Sequence, residues 1–234
     1  MPLFKRIITI IETTYQSYRF GAQAPLSRDQ MAILARNLNT PQTTTPSPLG
    51  GRSHPVCIEL SGYGQVIIKK YLRGGFLRHL NRQTHLRWKS TRPRLEFDML
   101  NRVRKFGINA PEPVSHVTQG DRFYQGWLIT RYIVKSRTLA ELCQTDPSKA
   151  KATLANLAKQ VTVLIDHHIL HTDLHPGNVL VDLTGMPYII DFDKTRTDIR
   201  NREKIQSGYK KRWHRAIKKY HLPEWLDTAI PESL

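Results

Sequence analysis

Four polar side chains at fixed spacing carry the clearest chemical signal. They are His171, Asp173 and Asn178 in His171-Thr-Asp-Leu-His-Pro-Gly-Asn178, and Asp191, thirteen residues beyond the asparagine. Moving a phosphoryl group requires an acceptor oxygen held in line with it and divalent ions on the phosphate oxygens. Asp173 is the residue type that takes the proton of an acceptor hydroxyl and aims its oxygen. Asn178 and Asp191 are hard oxygen ligands of the kind that Mg²⁺ prefers. Singly, each has an ordinary reading: a satisfied core histidine, a helix-capping aspartate, an asparagine in a turn. Between them, however, lie the apolar runs Val179-Leu-Val181 and Tyr188-Ile-Ile190. Those runs predict a hairpin that returns Asp191 beside the loop.

The loop has the form H-x-D-x-x-x-x-N known from kinases, and an upstream stretch agrees with it independently. Val66-Ile-Ile-Lys69 has the form of the strand whose lysine holds the α- and β-phosphates. Glu96, on a predicted helix, is placed to pair with Lys69 and fix its ammonium. Lys70 is the competing register, because a period of two puts it on the opposite face from Lys69. Taken alone, a surface lysine and a solvated helical glutamate would be the default reading of this pair. Gly50-Gly51-Arg52-Ser53 precedes the first strand of this region and is the candidate phosphate-covering loop, though it is not a full G-x-G-x-x-G.

The elements that must position these residues follow from patterning. Val56–Tyr71 holds two β-rich runs around Ser61-Gly-Tyr-Gly64, which predicts a hairpin. Leu95, Met99, Leu100, Val103 and Phe106 predict a helix over 91–106 that Gly107 stops. Trp127–Val134 reads as a strand, Thr138-Leu-Ala-Glu141 as a capping box, and Asp146-Pro147 as the start of a longer helix. Residues 1–38 form an N-terminal segment with room for a short helix around Arg28–Leu38. Residues 39–49, rich in Thr and Pro, read as a flexible connector. The tail from Lys194 to Lys219 carries eleven basic and two acidic residues and is predicted to be helical near Trp213 and Ile217.

Composition narrows the function classes. The 234 residues carry 36 Lys and Arg against 19 Asp and Glu, a formal charge of +17, which argues for an anionic partner. Two distant cysteines, Cys57 and Cys143, speak against a disulfide framework or a cysteine zinc site and suit a reducing cytosol. The apolar stretch Ile7–Ile11 is far too short to span a bilayer and lacks the features of a signal peptide. No aromatic-rich RNA-binding strand motif and no Cys/His finger accompanies the charge, so no nucleic-acid partner is expected. Nor is an obligate protein partner evident. Beyond Asp193 only about forty residues remain, without an A-P-E triplet or a long activation segment, which favours a small or carbohydrate acceptor over a peptide.

Lys69-Lys-Tyr-Leu-Arg-Gly-Gly75, Thr91-Arg-Pro-Arg-Leu-Glu-Phe97, Pro111-Glu-Pro113, His171–Asn178 and Ile190-Asp-Phe-Asp-Lys194 together resemble the lipopolysaccharide kinase family. The resemblance implies an α+β, bilobal protein-kinase-like fold with a small antiparallel-sheet N-lobe over 50–133. A short helical C-lobe with its basic tail would occupy 134–234. It further implies ATP and Mg²⁺ as cofactors and, as acceptor, an anionic inner-core sugar linked to lipid A, foremost 3-deoxy-D-manno-octulosonic acid (Kdo). By motif position Asp173 becomes the catalytic residue, Lys69 and Glu96 the nucleotide-anchoring pair, and Asn178 and Asp191 the metal ligands. Arg73, Lys194 and Arg196 lie where an anionic acceptor would be gripped. The charge also suits an anionic membrane surface, and hence a peripheral enzyme on the cytoplasmic face of the inner membrane of a Gram-negative bacterium. A heptose kinase or an aminoglycoside-type phosphotransferase is the alternative enzyme reading. The non-enzymatic alternative is a kinase-like nucleic-acid-binding protein, against which the joint presence of Lys69, Glu96, Asp173, Asn178 and Asp191 argues.

Overall fold

Alternating apolar residues in the first half of the chain and 3.6-residue periodicity in the second set up two different folding problems. The computed structural model describes residues 9–41, 43–45, 52–54, 56–72, 85–86 and 90–231. In chain order the strands and helices are β1 (Ile11–Tyr15), β2 (Tyr18–Ala22), α1 (Arg28–Asn37), β3 (Thr43–Thr45), β4 (Arg52–His54), β5 (Val56–Leu60), β6 (Gly64–Lys70), β7 (His85–Leu86), α2 (Arg92–Lys105), β8 (Pro113–Gln119) and β9 (Phe123–Arg131). They continue with β10 (Arg137–Thr138), α3 (Leu139–Thr145), α4 (Pro147–Asp166), β11 (Leu170–His171), β12 (Val179–Val181), β13 (Pro187–Ile189), β14 (Thr195–Arg196) and α5 (Arg202–Lys219). The fold is α+β and kinase-like. It divides into one unit of residues 1–43, 55–98 and 112–132, and a second of residues 44–54, 99–111 and 133–234.

The first unit is built on an antiparallel sheet in the order β1-β2-β8-β9-β6-β5, with β7 paired to β9. On β6, Val66 and Ile68 turn to one face and are fully buried, so Lys69 and the following Tyr71 turn to the other. The Val66 face packs on α1 through Met31 and Leu34 in a core that includes Leu60, Trp127 and Ile129. Helix α1 starts with a reciprocal capping box, Ser27 Oγ accepting from Gln30 N and Gln30 Oε1 accepting from Ser27 N. At its other end the Trp127 indole N–H donates to Leu38 O at 2.6 Å, satisfying a terminal carbonyl.

The hairpin at 56–70 and the helix at 92–105 form as patterning predicts. Within that helix Leu95 is exposed, and the inward positions are Glu96, Phe97, Leu100 and Val103. The N-terminal segment adds strands β1 and β2, which pair with each other, and β2 pairs with β8 through Tyr18–Gly21 and His116–Gln119, beside the helix expected around Arg28.

In the second unit α4 is the central element. Asp146 caps it from Lys149 N at 3.0 Å with Pro147 in the first turn. Its buried stripe of Leu154, Leu157, Val161 and Leu164 packs in the core of this unit. Helix α3 begins with the capping box of Thr138 and Glu141. Strands β10, β12 and β13 form a three-stranded sheet, and β11 pairs with β14. No helix among the described residues is long and apolar enough to cross a membrane.

Candidate functional site

In the first unit, Lys69 Nζ lies 2.7 and 3.0 Å from the two carboxylate oxygens of Glu96. Glu96 is buried, and an ionised carboxylate there requires a paired cation and hydrogen bonds. Tyr71, two residues along the same face from Lys69, supplies one of those bonds by donating its hydroxyl to Glu96 Oε2. The Lys69 ammonium also stands 5.0 Å from the Tyr71 ring centroid, and the Arg92 guanidinium lies 5.2 Å from it. The period-two alternation that distinguishes Lys69 from Lys70 carried this signal for Tyr71 too, but only the fold places its ring beside the pair. Lys70 turns to the opposite face, where it donates to Asn39 Oδ1 at 2.9 Å and lies over Trp127; burial lowers the pKa of its ammonium. Gly50, Gly51 and Arg73, the candidate phosphate loop and one candidate acceptor cation, lie outside the described residues.

In the second unit, the loop 171–178 is built around a buried imidazole. His171 Nε2 donates to Ile190 O at 2.9 Å, and its Nδ1 accepts from Asp173 N at 3.2 Å. Only the neutral ring with its proton on Nε2 meets both demands. Full burial lowers its pKa in the same sense, against the opposing pull of the Ile190 carbonyl and of Asp191 and Asp173. His171 therefore ties the loop to the strand end that delivers Asp191, and packs on Phe192 at 4.9 Å between centroids.

The hairpin β12–β13 then closes the site, pairing Val179 with Ile189, while Ile190 N donates to Asn178 O at 3.0 Å. Asn178 Nδ2 donates to Asp173 O at 3.0 Å. That bond spends the amide nitrogen on the loop and orients the side chain so that its carbonyl oxygen is the end left for a ligand. Asp191 sits in the left-handed region, φ 65° and ψ 57°, a conformation that aspartate tolerates better than most residues and that clusters at functional sites.

One carboxylate and one amide oxygen fit Mg²⁺, which is commonly held by one or two protein carboxylates together with substrate phosphates and water. Among the described residues no group of three His, Cys, Asp or Glu forms a metal cage of its own.

Asp173 itself is bracketed by cations. Arg212, from the tail helix α5, donates from Nε at 3.1 Å and from Nη2 at 2.5 Å, both to Oδ1. Lys194 Nζ lies 3.9 Å from Oδ2. Arg196 instead forks onto Asp198 through bonds of 3.1 and 2.8 Å. The pattern of the basic run gave no indication of Arg212, since nothing in it sets which of its cations turns inward.

A model of the lipopolysaccharide kinase (Kdo/WaaP) family matches residues 57–225. The chain is 29% identical over 158 residues to a 3-deoxy-D-manno-octulosonic acid kinase of Vibrio cholerae, a match covering 66% of each chain. It is 26% identical over 176 residues to the enzyme of that name from Haemophilus influenzae, covering 69% of this chain and 73% of the relative. With the Photobacterium profundum enzyme of that name it shares 29% identity over 133 residues, 56% of each chain. The chain thus spans somewhat less than two thirds of the length of the Vibrio cholerae and Photobacterium relatives.

Proposed function

Because the chain belongs to the lipopolysaccharide kinase (Kdo/WaaP) family, we propose that it transfers the γ-phosphate of ATP to a hydroxyl of an inner-core lipopolysaccharide sugar, Kdo on lipid A. The observation that carries this reading is the convergence of Asp173, Asn178 and the residues leading to Asp191 through the bonds of His171 and Ile190. That arrangement holds an acceptor-directing carboxylate beside oxygen ligands suited to a metal nucleotide.

In this mechanism Lys69, fixed by Glu96 and Tyr71, holds the α- and β-phosphates of ATP. Asp173 accepts the proton of the acceptor hydroxyl and aims its oxygen at the phosphorus. Asn178 and Asp191 are the residues that would hold Mg²⁺. When bound, the ion neutralises charge on the phosphate oxygens. His171 takes no proton: both of its nitrogens are committed to backbone groups, and its part is to keep the loop in shape.

The acceptor class follows from charge. Lipid A bearing Kdo presents phosphates and carboxylates, and Lys194 offers an ammonium beside Asp173. Lys210, Lys211, Arg215 and Lys218 lie exposed along α5. Near an anionic leaflet each such cation contributes about 1 kcal/mol, enough for a few to localise the enzyme at the cytoplasmic face of the inner membrane. The deciding experiment incubates the protein with labelled ATP, Mg²⁺ and Kdo-lipid A. Label in the Kdo phosphate ester is the expected result, and label only in heptose-containing or other acceptors would refute the Kdo assignment.

A further inference from the structure

The tail helix has a second side that the leaflet reading leaves unexplained. Tyr209, fully buried, donates its hydroxyl to Ile169 O at 2.8 Å and accepts from His171 N at 2.9 Å. It thereby satisfies two backbone groups where the chain enters the 171–178 loop. Gly208 permits that approach, because a Cβ there would stand 3.1 Å from the Leu170 side chain. One turn on, the Trp213 indole N–H donates to Leu226 O at 2.9 Å and ties the helix to the segment that follows it. Residue 212 comes three positions after Tyr209, so it lies on the same side of the helix. There its guanidinium meets Asp173.

Both guanidinium contacts go to Oδ1, which leaves Oδ2 as the carboxylate oxygen with accepting capacity to spare. The groups facing this aspartate are Arg212 from α5, Lys194 from the turn before β14, His171 Nδ1 at its backbone N–H and the Asn178 amide at its carbonyl. The Arg212 and Asp173 side chains are 24% and 29% exposed. An ion pair at that depth contributes little net stability. Aiming is a stronger reason for it. An aspartate rotates broadly about χ2, exchanging its two oxygens, and two donors on one oxygen suppress that rotation. Orientation of this kind is worth much in rate, since a misplacement of about 1 Å can cost about 100-fold.

We infer that Arg212 is a positioning residue for Asp173, holding Oδ1 so that Oδ2 receives the acceptor hydroxyl, and that the tail helix is part of the catalytic apparatus. The inference rests on the reading of Asp173 as the group that takes the acceptor's proton. A lysine cannot replace the guanidinium fully, because a single ammonium does not present two donors in a fixed plane.

The test measures kcat and KM for ATP and Kdo-lipid A in wild type, Arg212→Met, Arg212→Lys, Asp173→Asn and the Asp173→Asn/Arg212→Met pair, with thermal unfolding to check the fold. Arg212→Met should lower kcat by about 10- to 100-fold with KM for ATP unchanged, and Arg212→Lys should recover part of the loss. The pair should fall no further than Asp173→Asn alone, because residues acting as one unit are not additive. Arg212→Ala should regain turnover when ethylguanidinium is added, which a merely structural loss would not. Should Arg212→Met fail to fold, Arg212→Lys and the ethylguanidinium rescue carry the same test. Arg202→Gln, which breaks a surface pair with Asp166, should leave kcat alone. Arg212 variants that turn over like wild type, or a pair whose losses multiply, would overturn this inference while leaving the proposed reaction standing. A wild type that labels no acceptor would overturn the proposed reaction and the inference with it. An Asp173→Asn that remains fully active would instead take Asp173 out of the reaction and overturn the inference while the transfer itself stands.

Discussion

The Lys69 ammonium meets both oxygens of the Glu96 carboxylate, at 2.7 and 3.0 Å, with the lysine side chain 35% exposed and the glutamate side chain 3%. The pair is thus open at the cation and closed at the anion, which is the polarity a phosphate-holding lysine needs. Lys70, its neighbour, is turned to Asn39 and Trp127.

Lys69→Ala should accordingly weaken ATP binding, whereas Lys70→Ala should not. Lys69→Ala also leaves the buried Glu96 carboxylate without its ammonium, so about 1–3 kcal/mol of stability should go with it. Titration of ATP into both variants, with urea unfolding alongside, checks this. Loss of ATP binding in Lys70→Ala instead would put the phosphate-holding lysine on the other face of β6.

Asp173→Asn keeps size and shape but removes the carboxylate. Turnover should fall about 100- to 10,000-fold, the usual contribution of a positioned base, with ATP affinity largely kept. An asparagine variant with wild-type turnover would take Asp173 out of the reaction.

Asp191 combines a proposed metal-ligand role with a left-handed backbone, and two substitutions separate them. Asp191→Asn tolerates φ 65° and should keep stability while losing Mg²⁺-dependent ATP binding. Asp191→Ala should lose that binding and a further 1–2 kcal/mol or so, because alanine is strained in this region. Comparing ATP affinity with Mg²⁺ and with EDTA, next to unfolding curves, reads both effects.

Legibility in the sequence followed locality. The hairpin of β5 and β6, the capping boxes at Ser27 and Thr138 and the Asp146-Pro147 helix start are local events, decided within a few residues. So is the hairpin that brings Asn178 and Ile190 together. Strands β1, β2 and β8 were not legible. Tyr18–Gly21 pairs with His116–Gln119, about a hundred residues away, and β8 opens on a proline that reads as a turn. The partner of Arg212 was hidden for a related reason. Lys210, Lys211, Arg212 and Arg215 crowd the second half of α5, and only Gly208 and Tyr209 docking on β11 decide which one faces Asp173.

His116 predicts a pH dependence. Its ring fills the space where a Cβ of Gly21 would stand, packs edge-on to Phe97 at 5.3 Å, and has no hydrogen-bond partner for either nitrogen among the described residues. Burial, with Arg94 adding to it, pushes its pKa down to about 3. The unfolded chain takes up that proton near pH 6.5. Between those values the unfolded state binds more protons, so the stability His116 contributes is present above about pH 6.5 and is lost as pH falls. The slope is at most about 1.4 kcal/mol per pH unit for one histidine. His116→Phe should flatten the fall of unfolding free energy between about pH 6.5 and pH 5, whatever its effect at neutral pH. An unchanged slope would mean that His116 charges in the folded protein.

The last expectation concerns how the acceptor is gripped. Lys194 has a 67% exposed side chain 3.9 Å from Asp173, while Arg196 spends its guanidinium on Asp198. If an anionic head group is held at this place, Lys194 is the exposed cation beside Asp173 among the described residues, and Arg196 must first leave its fork. Exposed charge pairs are screened over about 8–10 Å at physiological ionic strength, so the acceptor KM should rise steeply with salt. The KM for ATP, whose phosphates would also be held by a metal in the proposed mechanism, should rise less. Lys194→Ala should raise the acceptor KM and flatten its salt dependence, Arg196→Ala should do so more weakly, and the double variant should resemble Lys194→Ala. An acceptor KM that ignores both salt and these substitutions would move the anionic grip elsewhere and leave Lys194 as a cation serving Asp173 alone.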